Sequence, residues 1–296
     1  MRHPLEIVVA SGKGGTGKTT VAAFLIYYLS GRFNVVGVDA DVEAPDLAIA
    51  LGRHREEEKE EIFDSQIATV DEDRCVLCGK CVNVCNFGAI VWSDGPRIVE
   101  QLCEGCGACA IMCDAGAISL RRTKTGEILF LETEYSPIVT GRLEIGRKHS
   151  GRLVEILKKE AKSRYNPEVI IVDAAAGIGC PVISSIAGSD MLIIVTEPTP
   201  QSLRSAGRVA EIGVRLGVKT GVLVNKYDLN TEFTKKIIRW SIGQGFMFLG
   251  SIPYDSEVVK AYVNMCALPK YAPHSKATEA LMDICRSVAK WSKLGD

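Results

Sequence analysis

Along most of the chain, short apolar runs alternate with longer stretches in which apolar positions recur at helical spacing. Glu6–Ala10 is a β-rich run, Ser11–Gly17 a glycine-rich loop and Thr19–Ser30 a helical stretch, and Val35–Val38 is an apolar strand ending in Asp39. The pattern resumes near Ser150, which is placed to cap a helix over Arg152–Arg164 with Leu153, Ile156 and Leu157 on one face. Val169–Asp173 is a strand ending in an acid, and Met191–Thr196, Thr220–Asn225 and Phe246–Ile252 are further strands separated by helical stretches. Ala277–Trp291 closes the pattern as a core-packing helix, with Leu281, Ile284, Cys285 and Val288 on one side and a polar face that is not strongly basic. Strands alternating with helices predict an α/β fold, a parallel sheet covered by helices.

Between Val38 and Ser150 the pattern breaks. Arg53–Glu61 is a charged run that reads as a solvated helix face or a connector. A cysteine-rich unit follows over about Gln66–Arg122, and Thr125-Gly126 then reads as a hairpin turn with Ile128–Leu131 as one flanking strand. The expected division is an α/β domain over residues 1–60 and 123–296, interrupted by a small α+β domain over 61–122. Such an insertion leaves from strand ends, where ligands also bind in sheets of this kind.

Composition narrows the function classes. A hydrophobic fraction of 47% and a net charge of −1 describe an ordinary globular chain without the basic surplus that nucleic acid or anionic membrane demands. Met1-Arg2-His3-Pro4 leads directly into Ile7–Ala10, too short for a signal core or membrane span, so neither a leader nor a membrane anchor is expected. Of 11 cysteines, eight fall between Cys75 and Cys113. That clustering in a long chain favours metal binding in a reducing cytoplasm over a disulfide scaffold. Cys180, Cys266 and Cys285 stand apart. The last two lie in apolar helical contexts and read as core thiols, and Cys180 reads as structural.

Gly12-Lys13-Gly14-Gly15-Thr16-Gly17-Lys18-Thr19 fits G-x-x-x-x-G-K-[ST], with the required strand before it and helix after it. Converging backbone N–H groups must reach phosphate oxygens, so side chains must be absent and unusual φ values allowed. The helix that follows aims its positive end at the phosphates. In this reading the segment from Gly12 to Thr20 holds the nucleotide. Lys18 reaches the β/γ-phosphates, and the Thr19 hydroxyl ligates Mg²⁺.

The second lysine, Lys13, makes the loop KGGTGKT, and on it the chain resembles the MinD, ParA, Mrp, ArsA and nitrogenase iron protein superfamily, the SIMIBI-type P-loop NTPases with a deviant Walker A motif. The resemblance covers about residues 4–52 and 145–294 and implies binding and hydrolysis of ATP, with ADP as product. Asp39-Ala40-Asp41 resembles switch I, which implies that Asp39 lies near Mg²⁺ and that Asp41 positions the attacking water. Ile170–Gly177 resembles the Walker B and switch II segment, which implies that Asp173 holds Mg²⁺ through water and Gly177 senses the γ-phosphate. Relatives often carry D-x-P-x-G there, and the alanines of this chain imply a more flexible switch. Val224-Asn225-Lys226 and Ile252-Pro253-Tyr254-Asp255 resemble the adenine-contacting segments, with Asn225 on the base edge and Pro253 on its face. Lys13 has no evident task within its own subunit. In the resembling family it reaches partner-held nucleotide across a two-fold interface, which implies a homodimer favoured by ATP and a catalytic set of Lys13, Lys18, Asp41 and Asp173.

The cysteines run Cys75-x₂-Cys78-x₂-Cys81-x₃-Cys85 and Cys103-x₂-Cys106-x₂-Cys109-x₃-Cys113, a repeat of 28 residues whose halves end in Gly88-Ala89-Ile90 and Gly116-Ala117-Ile118. Each half resembles the bacterial ferredoxin run, in which the fourth cysteine serves the other cluster. That resemblance assigns Cys75, Cys78, Cys81 and Cys113 to one [4Fe–4S] cluster and Cys103, Cys106, Cys109 and Cys85 to a second. Zinc sites usually pair two C-x₂-C units across a longer spacer, which this doubled run fits poorly. Asn86 and Asp114 stand where ferredoxins place proline, which bears on potential more than on ligation. The arrangement resembles MinD-superfamily ATPases with an inserted ferredoxin domain, known in archaea and anaerobic bacteria.

Three functions compete at this level. The chain is an ATP-gated electron carrier to a redox client, an Fe–S or metallocofactor delivery ATPase, or a MinD-like positioning ATPase with structural clusters. The ferredoxin pattern uses all eight clustered cysteines, and Cys180 alone supplies half of what a cluster shared across a dimer axis needs. That arithmetic favours electron transfer.

Overall fold

A computed structural model describes residues 3–144, 146 and 150–294. In chain order its elements begin with β1 (Leu5–Ser11), α1 (Lys18–Ser30), β2 (Val35–Ala40), α2 (Leu47–Leu51) and β3 (His54–Ile62). Short elements follow: β4 (Ser65–Val70), α3 (Lys80–Val84), β5 (Ile90–Trp92), β6 (Pro96–Ile98), α4 (Ala108–Ile111) and β7 (Ile118–Thr123). Then come β8 (Gly126–Thr133), β9 (Pro137–Leu143), α5 (Ser150–Tyr165), β10 (Val169–Ala176), α6 (Cys180–Ile186), β11 (Met191–Thr196) and α7 (Pro200–Arg215). The chain finishes with β12 (Lys219–Asn225), α8 (Thr231–Gly243), β13 (Met247–Ile252), α9 (Ser256–Val263), α10 (Leu268–Tyr271) and α11 (Lys276–Trp291).

A nine-stranded sheet runs β13-β12-β11-β1-β10-β2-β9-β8-β3, and its pairings from β13 to β9 are parallel. β11 is buried throughout and β10 from Val169 to Ala174, as continuous Val/Ile runs require when helices cover both faces. α1 buries Val21, Phe24, Leu25, Ile26 and Leu29, and α11 buries Leu281, Ile284, Cys285 and Val288 in the same core. Gly37 allows the close packing on β2, because a Cβ there would stand 2.4 Å from Ile138 Cδ1 and 2.8 Å from Ile26 Cδ1.

Contact clustering divides the chain into two units. The larger comprises Met1–Lys59, Ile128–Arg142 and Gly151–Asp296, and the smaller Glu60–Glu127 and Leu143–Ser150. In the smaller unit β4 pairs antiparallel with β7, and β5 with β6. Its hydrophobic cluster holds Ala68, Cys81, Ile90, Cys109 and Ile118 as buried members.

Several expectations need correction. The charged run at 53–61 is neither a helix face nor a connector: most of it is β3, the edge strand of the large sheet. Charge along an edge discourages pairing with other chains, so composition here follows position rather than strand propensity. Arg164 pairs with Glu58 of β3 and lies over the Phe130 ring at 3.9 Å. Thr125-Gly126 is not a hairpin turn, because β7 belongs to one sheet and β8 to another. Thr125 is buried, and its hydroxyl accepts from the backbone N–H groups of Asp64 (3.0 Å) and Ser65 (2.8 Å), which fixes the crossover. Ser150 is the first residue of α5, not its cap. Cys266 is half-buried in the turn between α9 and α10, and Cys180 is exposed, so neither is a packed helical thiol. Among the described residues no helix is long and apolar enough to cross a membrane.

Candidate functional site

β1 delivers the chain to the phosphate loop, and parallel pairing with β10 and β2 sets Asp173 beside Asp39 in register. Both carboxylates are 1% exposed. Burial, then the neighbouring Asp173 charge, pushes Asp39 up to about 7, although its oxygens accept from the N–H groups of Asp41 (3.1 Å) and Leu47 (2.8 Å). Burial likewise raises Asp173, with Lys18 acting against it. The Lys18 ammonium rests 2.7 Å from Asp173 Oδ1 and 3.5 Å from Thr19 Oγ1. Two buried acids side by side are a natural seat for added positive charge, which is the donor chemistry Mg²⁺ requires.

The loop has the form an anion needs. Gly15 and Gly17 have φ of +77° and +89°, and a Cβ on Gly17 would stand 2.3 Å from Asn225 Nδ2. Gly17 is the N-cap of α1, and no side chain caps that helix, so its first N–H groups are left to a ligand. The Thr16 hydroxyl is buried and has no partner among the described residues. Gly12 lies so close to α7 that a Cβ would stand 2.3 Å from Ser205 Cβ. Gly14 is exposed, Asp41 is half-buried, and Thr20 lines a groove with Phe24 and Tyr262. Gly177 has φ +103° and donates its N–H to Ser11 O at 2.9 Å, so switch II is tied to the end of β1.

The expected adenine residues are only partly brought to this site. Asn225 Nδ2 donates to Thr16 O (2.8 Å), and its Oδ1 accepts from Lys226 N (2.9 Å). That leaves one amide hydrogen and one lone pair for a base edge. Asp255 is a helix cap: its oxygens accept from Glu257 N (3.0 Å) at α9 and from Ala277 N (3.1 Å) at α11. Pro253 is half-buried just before it.

Lys13 corrects the expectation that it has no task within its own chain. Its Nζ lies 2.6 Å from Glu197 Oε2, while Lys226 Nζ lies 2.7 Å from Glu197 Oε1 and 3.2 Å from Gly15 O. Burial acts to raise the Glu197 carboxyl, and the hydrogen bonds from the two lysines more than offset it, so the net direction is down. Sequence reasoning missed Glu197, although it follows the apolar strand β11 directly, while Asp39 and Asp173 lie within the C-terminal halves of β2 and β10.

In the smaller unit the eight clustered cysteines line two recesses. One, of about 360 Å³, is lined by Cys75, Cys78, Cys81 and Cys113. The other, of about 340 Å³, is lined by Cys103, Cys106, Cys109 and Cys85. Leu77 and Gly79 have φ of +55° and +74°, and Gly105 and Gly107, one repeat later, have +61° and +77°. The two halves therefore share one backbone path around their thiols. Backbone N–H groups face sulfur at Ala68 to Cys103 (3.4 Å) and Ala117 to Cys113 (3.3 Å). Burial raises the Cys81 and Cys109 thiols. Among the described residues no three His, Cys, Asp or Glu side chains converge closely enough to hold a single metal ion.

Comparison with known proteins agrees with the large sheet and the phosphate loop. An uncharacterized Methanocaldococcus jannaschii protein is 32% identical over 95% of this chain and 95% of its own. An uncharacterized ATP-binding protein of the same organism is 30% identical over 86% of this chain and 87% of its own. The septum site-determining protein MinD of Pyrococcus horikoshii, solved with Mg-ADP, shares the fold with a TM-score of 0.62 at 19% identity, covering 99% of this chain and 98% of that one. The family model described as "CobQ/CobB/MinD/ParA nucleotide binding domain" matches residues 7–265, and the chain belongs to that family of P-loop ATPases.

Proposed function

We propose that this chain is an ATP-hydrolysing homodimer that carries two [4Fe–4S] clusters and uses its nucleotide state to time electron transfer to a partner protein. The observation that carries the reading is the crossed lining of the two recesses, three thiols from one half of the repeat and the fourth from the other. Four thiols around a recess, with backbone N–H groups of Ala68 and Ala117 donating to the Cys103 and Cys113 sulfurs, suit a compact multi-iron cluster better than one zinc ion. Bound there, the clusters would supply one-electron transfer at low potential. The chain's own part is to hold them by Cys75, Cys78, Cys81 and Cys113, and by Cys103, Cys106, Cys109 and Cys85. The domain boundaries that go with this reading are 61–122 for the cluster module and 1–60 with 123–296 for the ATPase.

In the ATPase, Lys18 leaves Asp173 for the β/γ-phosphates, and Asp173, Asp39 and Thr19 are then free to hold Mg²⁺. Asp41 orients the water whose oxygen bonds to the γ-phosphorus as the bond to the β–γ bridging oxygen breaks. Lys13 of each subunit meets charge developing on the partner's nucleotide. Asn225 and Pro253 take the adenine, and Asp255 holds their segment in place.

The test is anaerobic purification with elemental analysis, then spectroscopy with and without MgATP and mixing with a candidate apo-acceptor. About eight irons and eight sulfides per chain are expected from the doubled motif, with reversible reduction and no loss of iron to the acceptor. Zinc, or about four irons, would sink the two-cluster claim. Transfer of iron to the acceptor would make the chain a delivery ATPase instead.

A further inference from the structure

The carboxylate of Glu197 sits just past the end of β11, with its side chain 13% exposed and one lysine on each oxygen. Lys13, the second lysine of the phosphate loop, takes Oε2 at 2.6 Å, and Lys226 takes Oε1 at 2.7 Å. Lys226 is fixed by more than this pair. Its backbone is left-handed at φ +55°, and its ammonium also donates to Gly15 O at 3.2 Å. One carboxylate thus serves two ammonium groups and leaves a net positive charge. An exposed ion pair would contribute little, but this one is mostly shielded from water.

From this arrangement we infer that Glu197 is the positioning residue for Lys13: it keeps the lysine inside its own chain and sets how much nucleotide is needed to release it to a partner subunit. The inference rests on the proposed role of Lys13 in trans. A cation that must reach across an interface is harmful if it folds back onto its own phosphates, or wanders and pays the full entropy of ordering when the dimer forms. Holding it on Glu197 avoids both. The hold must also be breakable, and Lys226 makes it so by sharing the carboxylate. A triphosphate presented by the partner offers more negative charge than half a shared carboxylate.

This predicts effects of opposite sign at the two ends of the clamp. Glu197→Gln weakens the hold on Lys13. Replacing a charged acceptor with a neutral one is worth roughly fivefold per chain, and a two-fold dimer opens two clamps, so its dissociation constant should fall roughly twenty-fivefold. Lys226→Met leaves the whole carboxylate to Lys13, so the dimer should need more nucleotide. The full chain is titrated with a non-hydrolysable ATP analogue and Mg²⁺ in the ultracentrifuge, while nucleotide binding is measured separately on dilute monomer. Expected are a tighter dimer for Glu197→Gln, a weaker one for Lys226→Met after correction for monomer affinity, and faster labelling of Lys13 by an amine reagent in Glu197→Gln. If both substitutions weaken the dimer, Glu197 merely supports the loop and the inference fails. If Lys13→Ala dimerises like the parent, the in-trans reading has failed and this inference goes with it.

Discussion

Around the phosphate loop the three lysines and Asn225 already have protein partners: Lys18 has Asp173, Lys13 and Lys226 have Glu197, and Asn225 has Thr16 O. The cysteine unit is built the other way. Its hydrophobic cluster has five buried members, two of them the cysteines Cys81 and Cys109, and its thiols ring recesses rather than one another. The first site can bind its ligand by exchanging partners while the fold stays put. A unit of the second kind, whose buried apolar residues among the described residues are mostly Ala, Ile and Cys, needs a staple. On the proposed function, the nucleotide site is a switch on a finished scaffold, and the cysteine site is part of its own scaffold.

The largest expected effect follows directly. Removing iron anaerobically with a chelator should unfold the smaller unit and leave the larger one folded. Hydrogen exchange should show protection lost across β4–β7, a loss on the order of 5 kcal/mol or more, with β1, β10 and β11 unchanged. Equal protection in both units after complete iron removal would end the contrast.

Substitutions in the larger unit should do the reverse, changing chemistry without touching the clusters. Lys18→Ala should lower hydrolysis at least about 10³-fold and weaken nucleotide binding, because the cation for the β/γ-phosphates is gone. Asp41→Ala should keep ATP bound and slow its cleavage about 10²-fold. Iron content should stay at the parental value in both, and hydrolysis at the parental rate in Asp41→Ala would remove that residue from the mechanism.

A smaller effect tests the buried acids. Asp39 is raised to about 7 in the folded chain, against 3.8 when unperturbed. The folded state then binds more protons than the unfolded state between these values, so stability falls as pH rises from about 4 to about 7. Without Mg²⁺ the larger unit should be less stable at pH 8 than at pH 5 by roughly 2–4 kcal/mol, and Asp39→Asn should flatten that slope. Added Mg²⁺ should oppose it by favouring the ionised acids. Thermal melts of parent and variant at the two pH values decide the matter, and equal slopes would count against Asp39 as the source.

How much of this was legible in the sequence follows the same contrast. The phosphate loop could be read because its geometry is local: glycines, a lysine and a helix start in one stretch. Asp39 and Asp173 were legible because each interrupts a run of Val and Ile near the C-terminal end of its strand. Glu197 also follows an apolar strand, but its ion pairs exist only because the loop after β1 and the end of β12 bring Lys13 and Lys226 to it. β3 was misread because its charge reflects an edge position set by β8 and β9, which no local pattern announces. The bond that Asp255 accepts from Ala277 N ties it to α11, a contact that its local segment does not announce. The grouping of the eight cysteines around two recesses follows the two halves of their repeat, while β5 and β6, three residues each, are too short to show a period of their own.

The smallest expected effect concerns Cys180, the one exposed thiol outside the cysteine unit. It opens α6 just after the switch II glycines, where a shared cluster on a dimer axis would need it. Its Cβ packs against α5, because a Cβ built on Gly151 would stand 3.1 Å from it. Alanine keeps that Cβ and removes only the sulfur. If the eight clustered cysteines are the complete ligand set, Cys180→Ala should change neither iron content, nor cluster spectrum, nor ATP hydrolysis, and its melting temperature should match the parent. Iron counts on the dimer prepared with a non-hydrolysable ATP analogue are the stringent form of the test, because only that state would bring two copies of Cys180 together. Loss of iron from that dimer alone would mean that a further cluster sits between subunits. The nucleotide unit would then also be built around iron, and the contrast between a finished scaffold and a stapled one would fail at the interface.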